Sequence, residues 1–191
     1  MTGTQDSDIT ETTISSESVY EGGFLKLKRD IVRLPNGKEG TREYIVHPGA
    51  VVVIAFFDDD HVIMVRQYRY PVQRLVVEFP AGKLDAGEAP LECARRELLE
   101  ETGYTAAEWV RAGEMHLAVG YSDEVIHIYV ARGLTEGTRH LDDDEFLHVD
   151  VIPVQAVLDA CRTGAITDAK SLTCALWLQN LHEGRWALPQ P

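Results

Sequence analysis

At 191 residues, with 45% hydrophobic and 26% charged residues, the chain can bury the core of one domain and has the balance of an ordinary globular protein. Its apolar runs fall short of the roughly 18 residues that span a bilayer, and residues 1–18 have neither the basic region nor the apolar core of an export signal, so no membrane partner and a cytoplasmic location are expected. The formal net charge of −13 disfavours a nucleic-acid surface, and it means that a phosphate substrate would need local arginines or bound cations.

Residues 1–16 are mainly Ser, Thr, Asp and Glu, with too little apolar surface to offset the entropy of ordering. A disordered tail is expected there, ahead of a single domain over residues 17–191. From Tyr20 the pattern becomes that of strands. Leu25 and Leu27 alternate with Lys26 and Lys28, residues 31–34 continue the period, and Pro35-Asn36-Gly37 supplies a hairpin turn before residues 43–47 return. This predicts an N-terminal antiparallel ribbon over residues 18–47. Residues 50–57 and 61–68, apolar and rich in β-branched side chains, read as central strands around the acidic turn Asp58-Asp59-Asp60. Residues 75–79 form a further short strand, and the chain is expected to become irregular at Pro80-Ala81-Gly82.

Residues 89–102 carry apolar side chains at helical spacing, with Pro90 in the first turn and Gly103 where a helix would stop. Strands are expected at about 109–117, 125–131 and 146–152, and helices at about 154–162 and 168–182. Mixed strands with few helices indicate an α+β protein, its helices packed on a mostly antiparallel or mixed sheet. Cys93, Cys161 and Cys174 lack CxxC or zinc-ligand spacing and read as small, largely buried thiols.

The segment from Gly82 to Tyr104 carries the chemistry. Glu97 and Glu101 lie one helical turn apart on nearly the same face, with Glu100 beside them. Like charges at that spacing cost a few tenths of a kcal/mol, which a cation would remove. Carboxylate oxygens suit Mg2+ or Mn2+, ions that keep several waters and bridge to substrate phosphates. The plain alternative is a solvated acidic helix face.

Context separates the two readings. Gly82, Glu88, Arg96, Glu97, Leu98, Glu100, Glu101, Gly103 and Tyr104 fill the fixed positions of the Nudix box, G-x5-E-x7-R-E-U-x-E-E-x-G-U with U bulky and apolar. The chain therefore resembles a Nudix hydrolase. The resemblance implies the Nudix fold, a mixed β-sheet sandwiched between helices, with the box over residues 82–104. It also implies that Glu97, Glu100 and Glu101 hold Mg2+ or Mn2+ with the Ala81 carbonyl, while Arg96 and Glu88 brace the loop.

Outside the box, residues 47–50, 65–69 and 78–83 and the stretch Gly120-Tyr121-Ser122-Asp123-Glu124 resemble the ADP-ribose pyrophosphatase branch. That branch cleaves nucleoside diphosphate sugars and forms homodimers that exchange N-terminal ribbons. The resemblance implies ADP-ribose as substrate, with AMP and ribose 5-phosphate as products. In that branch an acidic residue in a later loop joins the metal site or acts as base toward the attacking water. Glu145 and then Asp143 occupy the matching region, against the alternative of a solvated acidic turn. Arg69 and Glu78 match positions that line the substrate cleft, against the alternative of a strand-end ion pair. Val119 stands where enzymes with ADP-ribose preference usually carry proline, which keeps other sugar nucleotides such as GDP-mannose open. A non-catalytic nucleotide-sugar sensor would be expected to lose box carboxylates, and all of them are present.

Overall fold

The computed structural model describes residues 9–141 and 146–188, and these separate into two compact units. One holds the described residues through His47 together with Ala118–Glu124; the other holds Pro48–Leu117 and the described residues from Val125 onward. The ribbon that the sequence placed inside a single domain is thus a compact unit of its own.

In the first unit, β1 (Thr12–Glu21), β2 (Lys26–Arg33) and β3 (Glu39–Val46) form an antiparallel sheet in that order. The hairpin between β2 and β3 turns at Asn36-Gly37. Gly37 takes φ 79°, and the Asn36 side chain accepts from the Lys38 amide at 3.0 Å. Residues 12–16, expected in the tail, are strand: Thr12 pairs with Arg33 and Ser16 with Asp30. Every residue of β1 is exposed, so backbone ladder bonds order it in place of apolar burial. Arg29 reinforces the sheet, reaching Glu17 on one side at 3.2 Å and Glu43 on the other at 2.8 Å. The segment 118–124 joins this unit through Ile45, whose amide donates to the Tyr121 carbonyl at 2.9 Å.

The second unit is built on β4 (Ala50–Ala55), buried along its whole length. Its alternation divides the core in two. Val52 and Ile54 pack with Val154, Val157, Cys174 and Leu178, while Val51, Val53 and Ala55 pack with Cys93, Ala94 and Leu98. The first set comes from α2 (Val154–Thr163) and α3 (Ala169–His182), the second from α1 (Pro90–Thr102). Helices therefore cover both faces, and the α+β architecture expected from the sequence is the one observed.

The sheet is mixed. β4 runs parallel to β9 (Ile126–Glu136), which pairs antiparallel with β8 (Tyr104–Met115). On its other edge β4 pairs antiparallel with β7 (Ala81–Lys83), where irregular chain was expected. Three residues containing a glycine leave no readable period, and the pairing is made by long-range contact: the buried Pro80 accepts from Val53 N at 2.8 Å and Val51 then faces Gly82. A second, antiparallel sheet places β5 (His61–Arg69) between β6 (Arg74–Glu78) and β10 (Leu147–Pro153). α1 starts at Pro90 and ends at Gly103, whose left-handed φ of 79° lets its amide close on the Leu99 carbonyl at 2.8 Å.

Leu98 is fully buried at the centre of the α1 face of the core. Leu98→Ala is expected to lower unfolding free energy by about 2–5 kcal/mol, read as an earlier midpoint in urea denaturation with an unchanged slope.

Candidate active site

Three carboxylates of the box meet at Arg96. Its guanidinium takes Glu88 in a two-pronged contact, Nε to Oε1 at 2.8 Å and Nη2 to Oε2 at 2.9 Å. Nη1 donates both to Glu97 Oε1 at 2.8 Å and to Glu100 Oε2 at 2.9 Å. Nη2 also reaches the Lys83 carbonyl at 3.1 Å, and Glu88 Oε2 accepts from the Asp85 amide at 3.0 Å. The loop ahead of α1 is therefore tied to the acidic face of the helix through one cation. The Arg96 hydrogen bonds hold the Glu88 carboxyl down to about 2, and the same contacts raise the Arg96 pKa.

Glu101 projects one turn beyond Glu97 and is 2% exposed; its Oε2 accepts from the Ala81 amide at 3.1 Å. Gly82 lies beneath Glu97, and a Cβ built there would overlap the Glu97 carboxylate. That close approach is the physical reason for glycine at this point of the box. Cys93 is buried beside Arg96, with its thiol pushed up to about 12 by burial first and by the neighbouring Glu88 and Glu97 charges second.

A second cluster lies at the end of β6. Arg69 grips Glu78 through Nε to Oε1 at 2.8 Å and Nη2 to Oε2 at 2.9 Å. Lys170, from the first turn of α3, also contacts Glu78 Oε2 and reaches Asp168 Oδ2 at 3.0 Å. Burial, the largest influence on Glu78, pushes its carboxyl up, but Arg69 and Lys170 together outweigh it and hold the group below the usual carboxylate value. The charges of Glu101 and Asp168 both act on Arg69, which places the two clusters within electrostatic reach of each other.

Of the residues singled out from the sequence, Arg96, Glu97, Glu100 and Glu88 are brought into direct contact, and Glu101 is joined to the Ala81 amide. Arg69 and Glu78 form an ion pair at the ends of β5 and β6, with the carboxylate buried and the Arg69 side chain 42% exposed. Asp143 and Glu145 lie outside the described residues. Lys170 and Asp168 were not found from sequence. One signal could have marked Lys170: a cation in the first turn opposes the helix dipole, so a lysine there asks for an anionic partner elsewhere.

Glu97, Glu100 and Glu101 offer the oxygen donors that Mg2+ and Mn2+ take, so the donor set fits such an ion. Among the described residues no three His, Cys, Asp or Glu side chains converge tightly enough to hold one in the arrangement described. Arg96 bridges Glu97 and Glu100 through Nη1 in this arrangement.

Comparison with known proteins places these features in a wider group. A NUDIX domain model matches residues 46–173, and a model of the nucleoside diphosphate sugar hydrolase N-terminal domain matches residues 11–45. The chain is 41% identical over 171 residues to an ADP-ribose pyrophosphatase of Bacillus subtilis (strain 168), covering 88% of this chain and 92% of that protein. It is likewise 41% identical over 171 residues to a methanol dehydrogenase activator of Bacillus methanolicus, with the same 88% and 92% coverage. A crystal structure of an ADP compounds hydrolase superposes with a TM-score of 0.81 at 25% identity, over 92% of this chain and 95% of that one.

Glu88 has a folded-state pKa of about 2 against an ordinary value of 4.5, so it stays ionised in the fold at acidities that protonate it in the unfolded chain. Its contribution to stability is present above about pH 4.5 and is lost as pH falls towards about 2. Denaturation midpoints at about pH 5 and about pH 3 should therefore differ more in the wild type than in Glu88→Gln. Gly82→Ala should displace the Glu97 carboxylate and lower kcat by about 100-fold, with circular dichroism unchanged.

Proposed function

Because the chain belongs to the Nudix hydrolase family, we propose that it hydrolyses the diphosphate linkage of a nucleoside diphosphate sugar, ADP-ribose first among them, to AMP and ribose 5-phosphate. The observation that carries this reading is the single guanidinium of Arg96 drawing Glu88, Glu97 and Glu100 together beside the end of β7 at Lys83. The 41% identity to an ADP-ribose pyrophosphatase supports the choice of sugar nucleotide.

Nudix hydrolases work with a divalent metal ion. When bound, Mg2+ or Mn2+ supplies charge neutralisation on the phosphoryl oxygens and acidifies water. Glu97, Glu100 and Glu101 would hold it, with the Ala81 carbonyl as a further donor. Arg96 and Glu88 keep those side chains and the loop in register, so that the acidic face does not spread through self-repulsion. Arg69 receives the substrate diphosphate: Glu78 occupies its Nε and Nη2, which leaves Nη1 to donate to a phosphoryl oxygen. Glu145 or Asp143 takes the proton of the attacking water. Water oxygen bonds to one phosphorus as the bridging P–O bond breaks, and the bridging oxygen leaves with the other product.

The same reading includes a cytoplasmic homodimer that binds no nucleic acid. The net charge of −13 supports the last point. No helix among the described residues is long and apolar enough to cross a membrane. The fully exposed β1, with Ile14 at 45%, Val19 at 41% and Tyr20 at 57% exposure, supports a second copy as partner.

Purified protein with Mg2+ should release AMP from ADP-ribose faster than it cleaves GDP-mannose or other sugar nucleotides in a panel. Failure to cleave any of them with Mg2+ or Mn2+ would overturn the reading. Glu101→Gln should lower kcat by more than about 100-fold while leaving the circular dichroism spectrum unchanged. Mass spectrometry of products formed in 18O water identifies the attacked phosphorus. Sedimentation equilibrium should return twice the chain mass, and a monomer at all concentrations would rule out the dimer.

A further inference from the structure

We propose that Lys170 is a positioning residue of the substrate site: its ammonium fixes the Glu78 carboxylate, and through it the Arg69 guanidinium, in the orientation that receives the diphosphate. This rests on the hydrolase reading above and deepens it with a residue that lies outside the box, on a different helix.

Glu78 is 2% exposed and has few ways to satisfy its charge. Arg69 binds both of its oxygens, and Lys170 adds a second cation on Oε2. The two-pronged contact makes the guanidinium and carboxylate planes a single unit, so whatever fixes the carboxylate also fixes the direction of Nη1. Lys170 is the anchor that is independent of Arg69. It is 8% exposed and is itself held by Asp168 Oδ2 at 3.0 Å. Asp168 caps α3, accepting from Ser171 N at 2.9 Å, so the lysine is mounted on a rigid helical turn.

The same turn holds the backbone next to Glu78. Ser171 is fully buried, and its hydroxyl accepts from Phe79 N at 3.1 Å. Two residues further on, Ala81 N donates to Glu101. One turn of α3 thus sets both the phosphate-binding cation and the strand end that meets the acidic helix. Arg69, with 42% of its side chain exposed against 2% for Glu78, 11% for Lys170 and 19% for Asp168, is the most accessible of these four side chains.

The test compares wild type, Lys170→Met, Lys170→Arg, Arg69→Ala and the Arg69→Ala/Lys170→Met double variant, each with Mg2+. Calorimetry gives Kd for α,β-methylene ADP-ribose, which carries a non-cleavable diphosphate analogue, and kinetics give kcat and KM for ADP-ribose. Lys170→Met should weaken binding and raise KM by about tenfold with kcat within about threefold, and Lys170→Arg should restore both. In the Arg69→Ala background the same change should alter Kd by less than about twofold, because the residue through which Lys170 acts is gone. Affinity within about twofold of wild type for Lys170→Met, or an undiminished loss in the Arg69→Ala background, would overturn the proposal. Should Lys170→Met fail to fold by circular dichroism, Lys170→Gln takes its place with the same expected values. A wild type that binds the analogue but cleaves no sugar nucleotide would remove the hydrolase reading while the affinities still decide for or against Lys170. Wild-type cleavage with an unaffected Lys170→Met would remove this inference alone, and a wild type that does not bind the analogue would remove both.

Discussion

The organisation of the site depends on the pairing of one guanidinium with three carboxylates. Glu88, Glu97 and Glu100 carry like charges that would otherwise repel across a short stretch of loop and helix, and Arg96 satisfies all three from its planar fork. A lysine could supply the charge but not the geometry, since a point ammonium cannot make the two-pronged contact to Glu88 while reaching both helix glutamates. The contact between Arg96 and the Lys83 carbonyl extends the constraint from side chains to backbone. What holds the loop and what arranges the acidic face are the same interaction.

The core makes that interaction possible. β4 is buried on both sides, and its alternation directs Val51, Val53 and Ala55 towards α1 and Val52 and Ile54 towards α2 and α3. Burying a leucine-sized side chain contributes about 1.5–3 kcal/mol, so Leu98 and its neighbours seat α1 firmly against the sheet. Once seated, the helix carries Glu97 over Gly82 and Glu101 to the Ala81 amide. The acidic face is positioned by the apolar face opposite it.

Glu78 illustrates the energetic stakes of the second cluster. Removing water from a carboxylate costs several kcal/mol, and breaking a buried pair by deleting one partner typically costs about 3–5 kcal/mol. Two cations meet Glu78, one from the neighbouring strand β5 and one from α3, and together they outweigh the effect of burial on its carboxyl. An apolar residue would fill this position more cheaply. The retention of a buried charge network beside the acidic helix fits a place where orientation matters more than stability.

The sequence by itself determined the helix, its stop at Gly103 and the acidic face of Glu97, Glu100 and Glu101 beside Arg96, because those relations are local and follow from a repeat of about 3.6 residues per turn. It also determined the ribbon turn at Asn36-Gly37 and the two-faced burial of β4, through turn chemistry and a continuous β-branched run. Order in residues 12–16 was not legible, since β1 is held by pairing with β2 and buries nothing that its composition would reveal. Nor was β7, too short to show a period. Only the tertiary structure decided that Glu101 meets Ala81, that Gly82 lies under Glu97, and that Lys170 reaches Glu78 across 92 positions of chain. Contacts at such separations depend on how packed layers bring strand ends and helix starts together, and a linear pattern carries no trace of that.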